Sequence, residues 1–141
     1  MKLIIINGPN LNLLGIREKK IYGNTSFESY FKILKKKYSK IQLEYYQSNH
    51  EGEIIDTIQD ERHWAEGILI NPAAFTHYSY AIRDAISAVE IPTVEVHLSD
   101  IHKREEFRQK SVISSVCIDQ VYGLGKDSYL EGLKLLFKSL G

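Results

Sequence analysis

A long loop after the first apolar run carries two side chains that could transfer a proton together. Arg17 and Tyr22 are five positions apart, flanked by Gly15 and Gly23 as possible hinges. A nearby guanidinium favours the ionised form of a phenol, so Arg17 could lower the pKa of Tyr22 and make it a usable general base. The alternative is a surface loop with a solvated arginine and tyrosine, and spacing alone favours that alternative.

Histidine and asparagine side chains follow the later apolar runs. His97 ends a run whose one charged member is Glu95. It could be a general acid or base, or a hydrogen-bonded cap of a strand. Asn71, before Pro72, could shape a turn or offer its amide to a ligand. His77 could lie at the start of a helix or contact a ligand. The residue types leave these alternatives open.

The segments that must position these residues alternate between strand and helix periodicity. Short apolar or β-branched runs predict five strands, at residues 3–6, 41–46, 67–70, 93–96 and 115–121. Apolar residues recur at helical spacing in segments 27–38, 54–58, 81–89 and 130–137. Thr25 and Glu28 predict a capping box at the start of the first helix.

Five strands alternating with helices predict a parallel sheet that is covered on both faces. The fold class is therefore α/β, a flavodoxin-like doubly wound sheet with strand order 2-1-3-4-5, and residues 1–141 form one domain. Ligands of such sheets bind at the carboxyl ends of the strands, near the switch in strand order. The loops after the strands, which carry the residues above, are the predicted site.

The composition and charge of the chain argue against several classes of protein. The chain has 141 residues with 43% hydrophobic and 26% charged residues, which is typical of a globular protein. Its 18 basic and 18 acidic residues balance, which argues against a nucleic-acid binder. No apolar run approaches the ~20 residues that span a bilayer, and the apolar N-terminal run is short for a secretory signal. We therefore expect a cytoplasmic protein with no nucleic-acid or membrane partner.

The sequence lacks the residue spacing of the common cofactor-binding and metal-binding motifs. The glycines before Lys126 lack the spacing of a phosphate-binding P-loop, and no glycine-rich fingerprint follows the first strand. The five histidines show no ligand spacing such as H-E-x-x-H, and Cys117 is the single cysteine. We predict neither a metal site nor a dinucleotide cofactor.

The polar segments form an ordered set: GPNLNLLG (8–15), RE (17–18), YG (22–23), SNHEG (48–52), TH (76–77), RDA (83–85), EVHLS (95–99), IH (101–102), REEFR (104–108) and GLG (123–125). Together they resemble the type II 3-dehydroquinate dehydratases, and the resemblance spans essentially the whole chain. It implies conversion of 3-dehydroquinate to 3-dehydroshikimate by anti elimination through an enolate, without a cofactor. The reaction would serve the shikimate pathway of aromatic amino-acid biosynthesis or quinate breakdown.

The resemblance also implies roles for the reacting groups. Tyr22 would remove a proton from C2 of the substrate, and Arg17 would keep Tyr22 ionised. Asn10 would hold a water against the enolate oxygen. His97 would be the general acid that protonates the departing C1 hydroxyl. Elimination beside a ketone needs a base, an oxyanion stabiliser and an acid, and this set supplies one of each.

The remaining implied residues bind the substrate. Asn71, His77, Arg108 and the Leu98–Ser99 backbone would hold the ring hydroxyls and the carboxylate. Asp84 would approach from a neighbouring subunit, because the family assembles as trimers packed into homododecamers. The chain departs from the familiar pattern at Lys19, Lys20, residues 73–75, Asp100 and Lys103. None of these departures removes a proposed catalytic group, so they bear on affinity and pH profile.

Two other function classes are open to the same fold. A flavodoxin-like binding or signalling module would need acidic residues after the first strand or an FMN phosphate loop, and Asn7, Pro9 and Asn10 stand there instead. An inactive scaffold would have no need of Asn10, Arg17, Tyr22 and His97 together. The intact set favours an enzyme.

Overall fold

The computed structural model describes residues 1–16 and 25–141, and within them five parallel strands form one sheet. The strands are β1 (Lys2–Asn7), β2 (Gln42–Gln47), β3 (Gly67–Asn71), β4 (Thr93–Val96) and β5 (Asp119–Val121), and their order is β2-β1-β3-β4-β5. The helices in this part of the chain are α1 (Phe27–Lys37), α2 (Glu51–Glu61), α3 (Tyr80–Val89) and α4 (Asp127–Leu140). The predicted α/β fold with strand order 2-1-3-4-5 is confirmed.

Apolar side chains of β1 alternate between two cores, one on each face of the sheet. Leu3 and Ile5 pack in a core with α1 and α4, whereas Ile4 and Ile6 pack in a core with α2 and α3. Successive side chains of a strand point to opposite faces, so a strand covered on both sides reads as a continuous apolar run. None of the helices within the described ranges has the length and apolar character needed to cross a bilayer.

Two local predictions were wrong. The cap of α1 is Ser26, whose Oγ accepts the backbone N–H of Ser29 at 3.2 Å, and not Thr25 with Glu28. The helix begins at Phe27, so Ser26 holds the extended N-cap position and Thr25 falls outside it.

The other incorrect prediction is the fifth strand. Its first half is a 3₁₀ turn, Ser114–Val116, and pairing is confined to Asp119–Val121. Ser111 Oγ accepts the N–H groups of Ile113 and Ser114, both at 3.1 Å, and turns the chain before it reaches the sheet. The apolar residues of this segment pack against the core formed with α2 and α3 instead of pairing in the sheet.

The loops after β1 and β3 touch at the switch in strand order. The Gly8 N–H donates to Asn71 O at 2.8 Å, and a Cβ atom on Gly8 would lie 2.5 Å from Pro72 O. A residue without a side chain is required for so close an approach. Within the sheet, β2 is the neighbour of β1 on one side and β3 is its neighbour on the other, so the strand order reverses direction at β1. A crevice therefore opens at these carboxyl ends.

Candidate active site

A cavity of about 130 Å³ lies at the carboxyl ends of the strands. Seven of the ten predicted site residues line it: Asn10, Asn71, His77, His97, Leu98, Ser99 and Arg108. They come from three segments that are far apart in the chain, at the ends of β1, β3 and β4, and the parallel sheet brings those ends to one edge. Among the described residues, no group of three or more His, Cys, Asp or Glu side chains is arranged to hold a metal ion.

Three predicted residues are not in this set. Asp84 lies on α3 with its side chain exposed, and it does not line the cavity of its own chain. Arg17 and Tyr22 lie outside the described residues. The predicted base and its neighbouring guanidinium therefore stay predictions.

His97 and Glu95 form a buried pair beside the cavity. His97 Nε2 lies 2.5 Å from Glu95 Oε2, and their side chains are 7% and 0% exposed. They are two residues apart at the end of β4, so strand alternation directs both to the same face. The His97 ring contacts a carboxylate rather than the sheet backbone. Of the two sequence alternatives, the geometry suits proton transfer better than a strand cap.

Glu95 is held as an anion in the protein interior. Burial by itself raises the pKa of this carboxyl group. The hydrogen bond and the electrostatic attraction of His97, followed by hydrogen bonds from Thr76 and Ser111, outweigh burial, and the pKa lies below the ordinary value of 4.5. An ionised carboxylate only accepts hydrogen bonds, so His97 Nε2 carries the proton between the two groups. Nδ1 is then the ring nitrogen left for a ligand in the cavity.

Asn71 both shapes a turn and lines the cavity. Its Oδ1 accepts the Ala73 N–H at 3.1 Å, and its Nδ2 donates to the Tyr129 hydroxyl at 2.9 Å. Tyr129 donates in turn to Asn7 Oδ1 at 2.7 Å. Tyr129 thus joins the register partners Asn7 and Asn71 at the ends of β1 and β3. These contacts fix which face of the Asn71 amide is turned to the cavity.

Two residues of the cavity lining carry positive charge and hydrogen-bond donors. Arg108 and Arg104 both line the cavity. Arg104 Nη1 donates to Ser99 Oγ at 3.3 Å, and Arg108 Nε donates to Glu105 Oε2 at 2.6 Å. Two guanidinium groups beside one cavity suit an anionic ligand such as a carboxylate. Sequence reasoning did not assign Arg104 to the site, although it begins the REEFR segment that Arg108 ends.

The Leu98–Ser99 backbone is held by the segment that leads into α4. Leu98 O accepts the Gly125 N–H at 2.9 Å, and Ser99 O accepts the Gly123 N–H at 3.2 Å. Both glycines have positive φ, 82° for Gly123 and 58° for Gly125. Glycine adopts this conformation without strain. The carbonyls point to this turn, and the N–H of a peptide unit points opposite to its carbonyl, so the turn fixes the direction of the Ser99 N–H.

His77 lies at the end of a 3₁₀ turn, Ala73–His77, and contacts the cavity. Its Nδ1 is 2.7 Å from Lys110 O, and a carbonyl only accepts, so Nδ1 carries the proton. Burial, followed by the nearby His97 and Arg108, lowers the pKa of His77, against the opposing effect of the Lys110 carbonyl. The ring is therefore neutral at pH 7, and Nε2 can accept a hydrogen bond from a ligand hydroxyl.

Asn10 has a left-handed backbone, with φ of 70°. Its N–H donates to Asn49 Oδ1 at 3.0 Å, and Gln47 Nε2 donates to the same oxygen at 3.1 Å. The exposed Asn10 side chain is thereby held at the cavity by its backbone. Asparagine tolerates this conformation better than most residues.

Known proteins are similar to this chain over its full length. The family model described as dehydroquinase class II matches residues 1–137. The 3-dehydroquinate dehydratase of Caldicellulosiruptor saccharolyticus is 55% identical, over 99% of this chain and 99% of that protein. That of Caldicellulosiruptor bescii is 56% identical, over 96% and 95%. The crystal structure of the type II dehydroquinase from Butyrivibrio crossotus superposes with a TM-score of 0.93 at 51% identity, covering 96% of this chain and 97% of that one.

Proposed function

Because the chain belongs to the class II dehydroquinase family of carbon–oxygen lyases, we propose that it dehydrates 3-dehydroquinate to 3-dehydroshikimate by anti elimination through an enolate. The observation that carries this proposal is the buried His97–Glu95 pair at a cavity that Arg104 and Arg108 also line. One cavity thus has a candidate proton donor and two guanidinium groups that suit an anion. Such an arrangement fits a small hydroxylated carboxylate.

The first step assigns the base to Tyr22. Ionised Tyr22 would remove the proton from C2, and the electron pair would move onto the ketone oxygen to form the enolate. Arg17 would favour the ionised phenol. Asn10 would hold a water that donates to the enolate oxygen, and its fixed backbone supports that role. A donor aimed at developing negative charge stabilises the transition state.

The second step assigns the acid to His97. The enolate re-forms the ketone, the C2–C1 double bond forms and the C1–O bond breaks. His97 Nδ1 would give its proton to the departing hydroxyl, so that water leaves. Glu95 accepts the Nε2 hydrogen and stabilises the imidazolium before transfer. The substrate thus gives one proton to Tyr22 and receives one from His97 as water leaves, and proton exchange with solvent would then restore the ionised Tyr22 and the protonated His97.

Substrate binding is assigned to the remaining lining residues. The Leu98–Ser99 backbone and Arg108 would hold the carboxylate, while Asn71 and His77 would hold ring hydroxyls. The second amide hydrogen of Asn71 and the unprotonated Nε2 of His77 offer one donor and one acceptor. This pairing suits alcohols, which both donate and accept.

The test is a spectrophotometric assay with purified protein, because dehydration creates a conjugated enone that absorbs. We expect His97→Gln and Tyr22→Phe each to lower kcat by at least roughly 10²-fold, the lower end for general acid–base catalysis. His102→Gln is the matched control, since this exposed histidine of the same loop does not line the cavity. Absence of enone formation by the unaltered protein would overturn the proposal and favour a scaffold.

Assembly and setting complete the proposal. The chain would act in the cytoplasm as one domain in the shikimate pathway, and its 16.2 kDa subunits would form a homododecamer, a tetramer of trimers of about 195 kDa. Asp84 would serve the site of a neighbouring subunit, in keeping with its exposure on α3 and its absence from the cavity of its own chain.

Subunit mixing tests the role of Asp84. Asp84→Asn and His97→Gln, each nearly inactive alone, should regain activity when dissociated and reassembled together. Some sites would then combine an intact His97 with an intact Asp84 from the next chain. Mixtures no more active than the two separate variants would contradict an intersubunit site.

A further inference from the structure

Ser111 contacts both oxygens of the buried Glu95 carboxylate. Its Oγ lies 2.9 Å from Oε1 and 3.0 Å from Oε2. The same Oγ accepts the backbone N–H groups of Ile113 and Ser114, both at 3.1 Å. A hydroxyl has one hydrogen and two lone pairs. Because two N–H groups take the lone pairs, the hydrogen is directed to Glu95, and Ser111 is a fixed donor.

Thr76 is a second hydroxyl donor to the same carboxylate. Its Oγ1 donates to Glu95 Oε2 and lies 3.1 Å from Ser111 Oγ, and the Thr76 side chain is fully buried. Two backbone-linked contacts hold the two segments together: Val112 N–H donates to Thr76 O at 2.8 Å, and His77 Nδ1 donates to Lys110 O at 2.7 Å. Thr76 and Ser111 are therefore held in place by the same hydrogen bonds that hold His77 at the cavity.

A proton shared by a carboxylate and an imidazole can rest on either group. If Glu95 held it, His97 would be a neutral imidazole, which is a weaker acid than imidazolium. Hydrogen bonds to the charged form of a carboxyl group favour that form. Two fixed hydroxyl donors therefore bias the proton toward His97.

Resting on the proposed function, we propose that Ser111 and Thr76 are positioning residues for the general acid, which keep Glu95 ionised and the shared proton on His97 Nε2, so that the Nδ1–H facing the ligand belongs to an imidazolium. Neither hydroxyl lines the cavity, so neither is assigned to substrate binding. The role depends on three donors, Thr76, Ser111 and His97, which all bind the buried Glu95 carboxylate.

Other titratable groups near Glu95 do not compete for this proton. Burial, and then the Glu95 charge, raise the pKa of Cys117 to about 12, so the thiol is neutral. Burial is the main cause of the lowered pKa of His77, whose Nδ1 proton is bound to a carbonyl. Arg108 carries a fixed positive charge beside His77. His97 is thus the group that exchanges a proton with Glu95 among those described.

The first experiment measures the protonation of Glu95 without using activity. Infrared titration in D₂O follows the carbonyl stretch of the protonated carboxyl group, assigned by its loss in Glu95→Gln. In Thr76→Val and Ser111→Ala this band should appear at a pH about one unit higher than in the unaltered protein. Thr76→Ser should restore the original titration. Ser115→Ala, an exposed position of the same segment, is the control.

The second experiment measures the consequence for dehydration. Thr76→Val keeps the size of the side chain and should lower kcat about tenfold while KM stays within about twofold. Thr76→Ser should recover most of kcat. A change in KM alone, or equal loss in Thr76→Val and Thr76→Ser, would show a packing role and overturn the inference.

The two experiments separate this inference from the proposed function. If the unaltered protein did not dehydrate 3-dehydroquinate, the function would fail while the infrared result still tested the hydroxyl donors. If the enzyme were active and the Glu95 band titrated identically in Thr76→Val and the unaltered protein, the inference alone would fail.

Discussion

Replacing Tyr129 with phenylalanine removes one oxygen atom from the core and with it two hydrogen bonds. Tyr129 accepts from Asn71 Nδ2 at 2.9 Å and donates to Asn7 Oδ1 at 2.7 Å. All three side chains are at most 2% exposed, so water cannot replace the missing hydroxyl. The Tyr129 ring contacts Phe27 and Tyr30, with centroids 4.8 and 6.3 Å away, and phenylalanine retains this packing.

The expected loss of stability follows from the groups left without this partner. A buried polar group without a hydrogen bond costs about 1–3 kcal/mol. Two groups are affected, the Asn71 amide nitrogen and the Asn7 oxygen, and Asn71 keeps its bond to the Ala73 N–H. We therefore expect Tyr129→Phe to lower the free energy of unfolding by about 3 kcal/mol.

Urea unfolding at one fixed protein concentration measures this difference, followed by the fluorescence of Trp64, the single tryptophan. Tyr30→Phe is the matched control from the same aromatic cluster. Within residues 1–16 and 25–141 its hydroxyl donates to Lys126 O alone, at 2.8 Å in a half-buried position, so its loss should cost about 1 kcal/mol or less. Equal losses in the two variants would refute the reasoning.

The same substitution should affect substrate binding, because Tyr129 fixes the Asn71 amide at the cavity. We expect KM for 3-dehydroquinate to rise by roughly three- to tenfold with a smaller change in kcat, which is the pattern of a lost binding contact. A fall in kcat with KM unchanged would indicate that Asn71 contributes to the chemical step instead.

Three further predictions concern separate parts of the molecule. Gly8→Ala should lower both thermal stability and kcat/KM, because its Cβ would clash with Pro72 O; wild-type Tm and activity would contradict the close approach. Glu95 has a lowered pKa, so its ionised form stabilises the fold fully above about pH 4.5, and this contribution is lost as pH falls through the pKa of the folded state. In urea unfolding from pH 7 to pH 3, the free energy of unfolding should therefore fall less steeply with acid for Glu95→Gln than for the unaltered protein. Activity should survive EDTA, because the proton transfers proposed for Tyr22 and His97 require no Lewis acid; loss that is restored by added metal would count against the proposed mechanism.

The sheet could be predicted from sequence because its information is local. Leu3–Ile6 and Gly67–Ile70 are continuous apolar runs, and alternation with helices limits the topology to a few orders. The prediction for the start of the fifth strand was wrong for a reason that is also local. The side chain of Ser111 binds the backbone N–H groups that follow it and turns the chain before strand pairing begins. A run of apolar residues does not reveal that turn.

The positioning residues could not be predicted because their partners are distant in the chain. Tyr129 contacts Asn7 from 122 positions away, and Ser111 contacts Glu95 from 16 positions away. The helical spacing that predicts the last helix covers residues 130–137 and does not include Tyr129, and Ser111 lies between predicted elements. Glu95 gave the one available signal, a charged residue in an apolar strand, which is expensive to bury unless donors surround it.

The position of Glu95 within β4 makes the proposed acid depend on the alternation of side chains along that strand. Val94 and Val96 belong to the core beneath α1 and α4, while Glu95 and His97 have their side chains on the other face. A single-residue deletion in β4 would exchange these two sets, bringing a carboxylate into an apolar core and a valine beside the cavity. Point substitutions can change this enzyme gradually. A one-residue change in the length of β4 would displace the proposed acid and disrupt the apolar core together.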